Sequence, residues 1–224
     1  MIDRIKNIVY SILNKEKVGA VKPSRYIDAC IKAQNSIYSN YFTPEKNKSR
    51  NRQSAGHAVD SIRKLEEKLS SFLKDATLTS ENGTFEKPED LYFIDERGVM
   101  YNDDTEVDVL RGSHFRREAG STTFPIGTFN EGSIKVKPLT VKEITIDYYR
   151  TPKNPNWTYS ESGGVAYFNP DADDFQDFEL HPSEEPDLII EILLDFGIIK
   201  REPQIVQSIE NFKKTENAND SRLS

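Results

Sequence analysis

The stretch FELHPSEEPDLIIEILLDFGII at residues 178–199 decides the fold of the C-terminal part of the chain. Ser183 is the predicted N-cap, and Glu184 and Glu185 follow in the first turn, where carboxylates favour the positive end of a helix. Gly197 is predicted to end the helix. Between these signals, apolar side chains recur at helical spacing: Leu188, Ile189, Ile192, Leu193 and Phe196. The stretch therefore predicts an amphipathic helix with a strongly apolar face.

A second helix is predicted beyond it, over residues 203–214. Its apolar positions again follow the helical period: Ile205, Val206, Ile209 and Phe212. We expect a C-terminal pair of helices over residues 181–214, followed by a polar tail at 215–224.

The first 80 residues are predicted to be helical. Apolar residues at helical spacing mark three helices: residues 1–13, a second that starts at Pro23 or Ser24 and runs to 41, and a third over about 58–75. Pro44 ends the second of them. These three helices predict an N-terminal bundle.

Residues 81–180 are predicted to be a β-rich region with an irregular arm. Residues 90–101 read as two short strands joined by a turn at 95–98, while residues 133–136 and 141–150 alternate apolar and polar side chains as strands do. Residues 112–129 are rich in glycine, serine and threonine and are predicted to form the arm. The predicted fold class is α+β, with a helical bundle, a small and mostly antiparallel β domain, and the C-terminal helix pair.

The composition indicates that much of the surface of the chain is exposed to water or is covered by neighbouring subunits. Of its 224 residues, 36% are hydrophobic and 30% are charged, against a usual ~45–50% and ~25%. The net charge of −7 argues against a general nucleic-acid binder, which needs a basic surface to neutralise phosphates.

The charges are segregated along the chain. Residues 171–195 hold ten acidic residues and no lysine or arginine. We interpret the segment with Asp171, Asp173, Asp174 and Asp177 as a candidate subunit interface or channel-facing wall. A cluster of opposite sign occupies one loop: Lys46, Lys48, Arg50 and Arg52. Such polarity fits contact between unlike patches of neighbouring subunits, and ordinary solvated charge is the alternative.

Three further side chains are candidates for an interface. Arg116 and Arg117, in the predicted arm, could grip carboxylates of a neighbouring subunit in bidentate fashion. Trp157, the single tryptophan, lies among prolines. It either anchors the proline loop onto the sheet or anchors a subunit interface.

The sequence predicts no catalytic residue, no metal site and no cofactor. It contains no GxxxxGK[ST], GxGxxG or GxSxG motif, and its three histidines are far apart in the sequence. The run of carboxylates at 171–179 lacks the glycine and the closing glutamate of a calcium loop. Cys30, among helix-favouring residues, is predicted to be a buried core thiol. The N-terminal segment is too short and too polar for a membrane span.

Two motifs connect this chain to a known family. IDYYRTPKNPNW at residues 146–157 is a strand that runs into a proline-rich loop, and FELHPSEEPDLI at 178–189 is the helix start described above. FPIGTFNEGSIKVKPLTVKEI at 124–144 precedes them, and the helix pair follows up to Phe212. In the order and spacing of these segments the chain resembles the head-to-tail connector proteins, also called adaptor or ring proteins, of crAss-like bacteriophages. In the first hundred residues the resemblance extends only to a helical arrangement.

The resemblance implies a structural virion protein and not an enzyme. Such proteins form a ring of about twelve copies, a closed symmetric assembly, which joins the portal protein to tail or other ring proteins. The ring leaves a central passage for DNA. The implied location is the head-tail interface of the virion, after assembly in the host cytoplasm, with no membrane partner. Other hypotheses are a different virion ring or tail-completion subunit, an enzyme using the carboxylates of residues 171–179, and a non-viral binding module.

Overall fold

The computed structural model describes residues 1–15, 21–43, 57–102 and 105–198. Along these residues three helices come first, a run of strands interrupted by one short helix follows, and a further helix comes last. Within these residues there are five α-helices: α1 Ile2–Lys15, α2 Pro23–Asn40, α3 His57–Ser70, α4 Gly112–Arg117 and α5 Glu185–Asp195. A single 3-10 turn, Pro182–Glu184, leads directly into α5. The mixture of helices with largely antiparallel sheets confirms the predicted α+β class.

Ten strands form three sheets in the described residues. The strands are β1 Leu73–Thr79, β2 Thr84–Glu86, β3 Leu91–Tyr101, β4 Thr105–Glu106, β5 Asp108–Val109, β6 Ile126–Phe129, β7 Ser133–Lys137, β8 Glu143–Arg150, β9 Tyr159–Ser162 and β10 Val165–Phe168. The two four-stranded sheets have the orders β1-β8-β3-β4 and β2-β7-β6-β5, and β9 and β10 form a separate hairpin. Of these pairings, only β5 with β6 is parallel.

The chain divides into two compact units. Unit two is the continuous segment Leu69–Thr151, and unit one combines Met1–Lys68 with the residues from Pro152 onward. The sequence predicts boundaries at residues 80 and 181 instead. The two divisions differ at both boundaries. Residues 69–80, predicted with the helical region, belong to unit two, and residues 152–180, predicted with the β region, belong to the same unit as the N-terminal helices.

The core of unit one is built around α5, which packs against α1 and α2. Helix α5 buries four aliphatic side chains, and α1 buries four others at i, i+3 and i+4 spacing: Leu188, Ile189, Ile192 and Leu193 from α5, and Ile2, Ile5, Val9 and Leu13 from α1. Each such side chain stabilises the fold by about 1.5–3 kcal/mol when it is fully buried. The apolar stripe predicted over residues 178–199 is therefore the centre of this unit.

Unit two has its own core, formed by inward-facing side chains of the two four-stranded sheets. Strand β8 lies between β1 and β3, and its alternating residues Ile144, Ile146 and Tyr148 are buried. They pack with buried aliphatic and aromatic residues of the other strands and loops, including Phe85, Val99, Val107, Ile134, Val136 and Val141. The alternation predicted for residues 141–150 is thus realised as a strand with one face in the core.

Helix α3 ends earlier than predicted. We expected it to continue to about residue 75, whereas it ends at Ser70 and Leu73 begins β1. The apolar spacing of Leu65, Leu69 and Phe72 is helical, but Leu73 pairs with Tyr149 of β8. Pairing with a distant strand has overridden the local pattern.

Three other local predictions need correction. Residues 91–101 form one strand, β3, and a register shift against β8 between Ile94 and Val99 replaces the predicted turn. The arm at 112–129 is not wholly irregular, since it contains α4 and β6. Ser183 is not the N-cap of the long helix; it lies in the 3-10 turn, where its N–H donates to the His181 side chain. The predicted helix at 203–214 and the tail at 215–224 lie outside the described residues.

Candidate assembly surfaces

Trp157 is an anchor inside unit one. Its side chain is only 1% exposed, and its ring stacks on the rings of Tyr159 and Phe168 at centroid distances of 5.5 and 5.9 Å. The indole Nε1–H donates to Asp3 Oδ1 at 2.9 Å, and the Lys6 ammonium lies 3.7 Å from the ring centroid. These contacts fix the β9–β10 hairpin against α1. The position contradicts an exposed interface role for Trp157 and agrees with the alternative of an intrachain anchor.

Gln34 of α2 fixes the proline loop and the acidic segment together. Its side chain is fully buried; Nε2 donates to the Lys153 carbonyl at 2.8 Å, and Oε1 accepts from the Glu179 N–H at 3.1 Å. The Lys153 N–H donates in turn to Glu179 Oε2 at 2.7 Å. Gln34 thereby holds the proline loop at Lys153 and the acidic segment at Glu179 against α2.

Two of the four predicted acidic residues are held by contacts within unit one. Asp177 Oδ1 accepts from the Ile2 N–H at 2.8 Å, and its Oδ2 lies 2.6 Å from the Met1 nitrogen, so the carboxylate is bound at the N-terminus of α1. Asp174 Oδ2 accepts from Asn156 Nδ2 at 3.0 Å, although Asp174 is also exposed. Asp177, predicted as a channel-facing or interface residue, therefore has a structural role within unit one.

Asp171 and Asp173 are the carboxylates that this segment presents to solvent. Both side chains are exposed, and neither forms an ion pair with another residue of the described ranges. They lie in the loop that begins directly after β10. Of the four acidic residues that the sequence singles out, Asp171 and Asp173 are thus the ones that remain exposed without a side-chain partner among the described residues.

The β9–β10 hairpin, which this loop directly follows in the chain, also carries exposed apolar side chains. It turns through Gly163 and Gly164 with φ of 59° and 76°, the positive values that a two-residue type I′ turn requires. One face stacks on Trp157, whereas the opposite face carries Val165 and Tyr167, which are 52% and 55% exposed. We call Val165, Tyr167, Asp171 and Asp173 the hairpin surface.

Unit two presents a surface of opposite charge around α4. Arg116 and Arg117 are exposed on this short helix. The helix is held by Lys137, whose Nζ donates to the carbonyls of Phe115 and Glu118 at 2.8 Å each and lies 4.7 Å from the centroid of the Phe115 ring. A cation at the carboxyl end of a helix is favourable. The backbone of the helix that carries the two arginines is therefore held in place by Lys137.

Phe124 stands beside this helix and is 77% exposed. Its turn is fixed, because the Phe124 N–H donates to Ser121 Oγ at 3.1 Å and the Ser121 N–H donates to the Phe124 carbonyl at 3.0 Å. A shallow cleft of about 410 Å³ lies next to it, lined in part by Leu110, His114 and Ile126. We call Arg116, Arg117 and Phe124 the arm surface.

The remaining predicted site residues and ligand sites can be stated briefly. The basic cluster Lys46, Lys48, Arg50 and Arg52 lies outside the described residues. Within the described ranges, no group of three or more His, Cys, Asp or Glu side chains could hold a metal ion. No helix in the described part of the chain has the length and apolar character needed to cross a membrane.

Sequence reasoning missed several residues that shape these surfaces. Gln34 carried a usable signal, because a polar residue stands there among the apolar positions of α2. The roles of Asp3 and Lys137 depend on partners more than ten residues away and had no local signal. Phe124 had no signal either, because it lies in the segment 112–129, which is predicted to be an irregular arm.

The sequence matches no model of a known protein family, and it matches none of the curated proteins with which it was compared. The fold and its surfaces therefore define only a general class of protein, an α+β chain of two units. One unit exposes apolar side chains and carboxylates, and the other exposes an aromatic side chain and arginines.

Proposed function

We propose that this chain is a structural virion protein, a head-to-tail adaptor whose copies form a ring between portal and tail around a channel for DNA. The proposal is carried by one observation: the hairpin surface in unit one and the arm surface in unit two are unlike and opposite in charge. A subunit of a ring needs two different, complementary surfaces, because a head-to-tail contact closes only when each copy offers both. Exposed apolar side chains beside each set of charges fit surfaces that neighbours cover.

The resemblance of residues 146–157 and 178–189 to connector proteins supports the same proposal. The first segment comprises the end of β8 and the proline loop that terminates in the buried Trp157. The second contains the 3-10 turn and the start of α5, at the centre of unit one. The two segments that resemble connector proteins therefore contain residues on which the fold depends. In the full arrangement that we propose, a second C-terminal helix over residues 203–214 completes the pair with α5.

The mechanism that we propose is assembly. Copies associate in a ring of about twelve by contacts between unlike surfaces, and one rim of the ring binds the portal protein while the other binds tail or further ring proteins. Exposed carboxylates that remain next to the passage would repel DNA phosphates and keep the passing duplex from adhering.

Electron cryomicroscopy of the purified chain mixed with the portal protein of the same genome tests this function. We expect a ring of this chain bound coaxially to one end of the portal, and no such density with portal alone. The variant R63E/K64E, which reverses two exposed charges of α3 that belong to neither surface, serves as the matched control and should still form the ring. A chain that remains monomeric and never binds portal would contradict the proposal.

A further inference from the structure

We propose that the hairpin surface of one copy binds the arm surface of the next copy, with Asp171 and Asp173 facing Arg116 and Arg117. In the same contact, Val165 and Tyr167 pack against Phe124. This inference rests on the proposed function for the closure of the ring, and it names the residues through which neighbouring copies recognise one another.

Charge complementarity selects this pairing. From residue 154 to residue 198 the chain contains no lysine or arginine, so the exposed carboxylates of Asp171 and Asp173 have no cation among their sequence neighbours. Arg116 and Arg117 are exposed on α4 and form no ion pair with the described residues of the chain. An arginine can bind a carboxylate through two parallel hydrogen bonds, which fixes orientation as well as attraction.

The apolar side chains supply the centre of the contact. Phe124, Tyr167 and Val165 are each more than half exposed. Exposed apolar side chains are common singly, but here they stand beside complementary charges on both surfaces. Aromatic side chains and arginines carry a large share of the binding energy in protein interfaces, while charged pairs around them set specificity.

The elements that carry the two surfaces are held by contacts within their own units, and such preorganisation lowers the entropy lost on association. The hairpin is stacked on Trp157 at its inner face. Helix α4 is held by Lys137, and the Phe124 turn by its hydrogen bonds to Ser121. The occupant that best fits a fixed acidic surface on this chain is the fixed basic surface that the same chain carries, in a second copy. The contact is heterologous, so it generates rings or open chains rather than a closed two-fold dimer.

A reciprocal charge exchange tests the pairing. The variants D171K/D173K and R116E/R117E are purified separately, and their self-association is measured by analytical ultracentrifugation over a concentration series beside the unaltered chain. Like charges then face one another in each variant, so we expect the Kd of self-association to rise roughly tenfold or more in each. When the two variants are mixed in equal amounts, every contact again joins opposite charges, and we expect assembly to return.

Recovery in the mixture also shows that both variants are folded, because an unfolded partner could not restore assembly. A third variant, F124S, should weaken self-association without changing its dependence on salt. The controls E89K/E131K and R63E/K64E reverse the same numbers of exposed charges elsewhere and should assemble like the unaltered chain.

The outcomes separate this inference from the proposed function. If the unaltered chain assembles but neither double variant weakens assembly, the pairing is wrong while the ring function stands. If the variants lose binding to portal yet retain self-association, the two surfaces contact a different partner and the pairing is again wrong. A chain that stays monomeric at every concentration overturns the self-pairing, and only a further failure to bind portal overturns the function.

Discussion

Single buried polar side chains hold unit one together at the residue scale. Gln34 is the clearest case, because one side chain satisfies the carbonyl of Lys153 and the N–H of Glu179. A buried backbone group without a partner destabilises a fold more than an average hydrogen bond stabilises it. The position of the acidic segment therefore depends on an amide in the second helix.

Replacing Gln34 by alanine is expected to lower the free energy of unfolding by about 2 kcal/mol, since two backbone groups lose their partner. Asn35→Ala, at the neighbouring exposed position of α2, is the matched control and should change it by less than about 0.5 kcal/mol. Urea unfolding followed by the fluorescence of the single tryptophan, Trp157, measures both. Equal stability of the two variants would contradict the role assigned to Gln34.

Burial of Cys30 and Tyr26 in α2 predicts sensitivity to alkali. Burial raises the pKa of the Cys30 thiol to about 12, and burial together with the neighbouring thiol raises the pKa of Tyr26. Both groups therefore stay protonated in the folded state after they have ionised in the unfolded chain. Their contribution to stability is complete below a pH of about 9 and is lost as the pH rises towards 12.

Between pH 9 and 10 we expect the thiol alone to lower the free energy of unfolding by about 1 kcal/mol. The variant Cys30→Ala lacks this group and should show a smaller decline over the same interval. Urea unfolding at a series of pH values gives the comparison, and parallel pH profiles for the two proteins would contradict the buried thiol.

Turn geometry governs the β9–β10 hairpin at the element scale. A two-stranded hairpin is marginally stable by itself, and this one depends on its turn and on the Trp157 stack. Positive φ at Gly163 and Gly164 is readily adopted by glycine, whereas a residue with a Cβ is strained there.

The substitution Gly164→Val is expected to destabilise the hairpin by roughly 1–2 kcal/mol, because a branched side chain is strained at positive φ. Hydrogen exchange should then become faster in residues 159–168 and stay unchanged in unit two. Gly132→Ala, where an added Cβ meets no atom within 4 Å, is the control and should leave exchange unchanged. Unaltered protection of the hairpin in Gly164→Val would show that the turn does not determine its stability.

The whole molecule consists of two units with separate cores. All members of the buried cluster around β8 come from Leu69–Thr151, a continuous segment of the chain. Unit one, in contrast, is assembled from sequence on both sides of that segment. The hairpin surface and the arm surface consequently belong to two units, each of which is stabilised by its own hydrophobic core.

The segment 69–151, expressed alone, is expected to fold, since its core needs no side chain from elsewhere. A dispersed amide proton spectrum and cooperative urea unfolding would establish this. In the same fragment Ile146→Ala should cost about 2–5 kcal/mol, whereas Leu139→Ala, at an exposed position, should cost little. A fragment with a collapsed spectrum would contradict the independence of the core.

Much of the local structure was predictable from periodicity. Helices α1, α2 and α5 and strands β7 and β8 lie where the spacing of apolar residues predicted them. Such spacing is imposed by the geometry of the element itself, so the signal is present in the sequence of that element. The acidic segment and the two arginines of α4 could likewise be identified from residue type alone.

Pairing between distant segments was not predictable in this way. The end of α3, the continuity of β3 and the association of residues 152–180 with the helices all depend on which remote residues lie alongside. The same holds for the site. Trp157 and Asp177 are held by α1 residues that lie more than 150 positions away in the sequence, Asp3 and Ile2.

By itself, the sequence determined the helical and strand periods, the α+β class and the separation of charge along the chain, because these are local properties of residues and their spacing. Only the tertiary structure decided which charges and aromatic rings remain exposed, since burial depends on neighbours that the chain brings from far away. It left Asp171, Asp173, Arg116, Arg117 and Phe124 at the surface, and it placed Trp157 and Asp177 among intrachain partners.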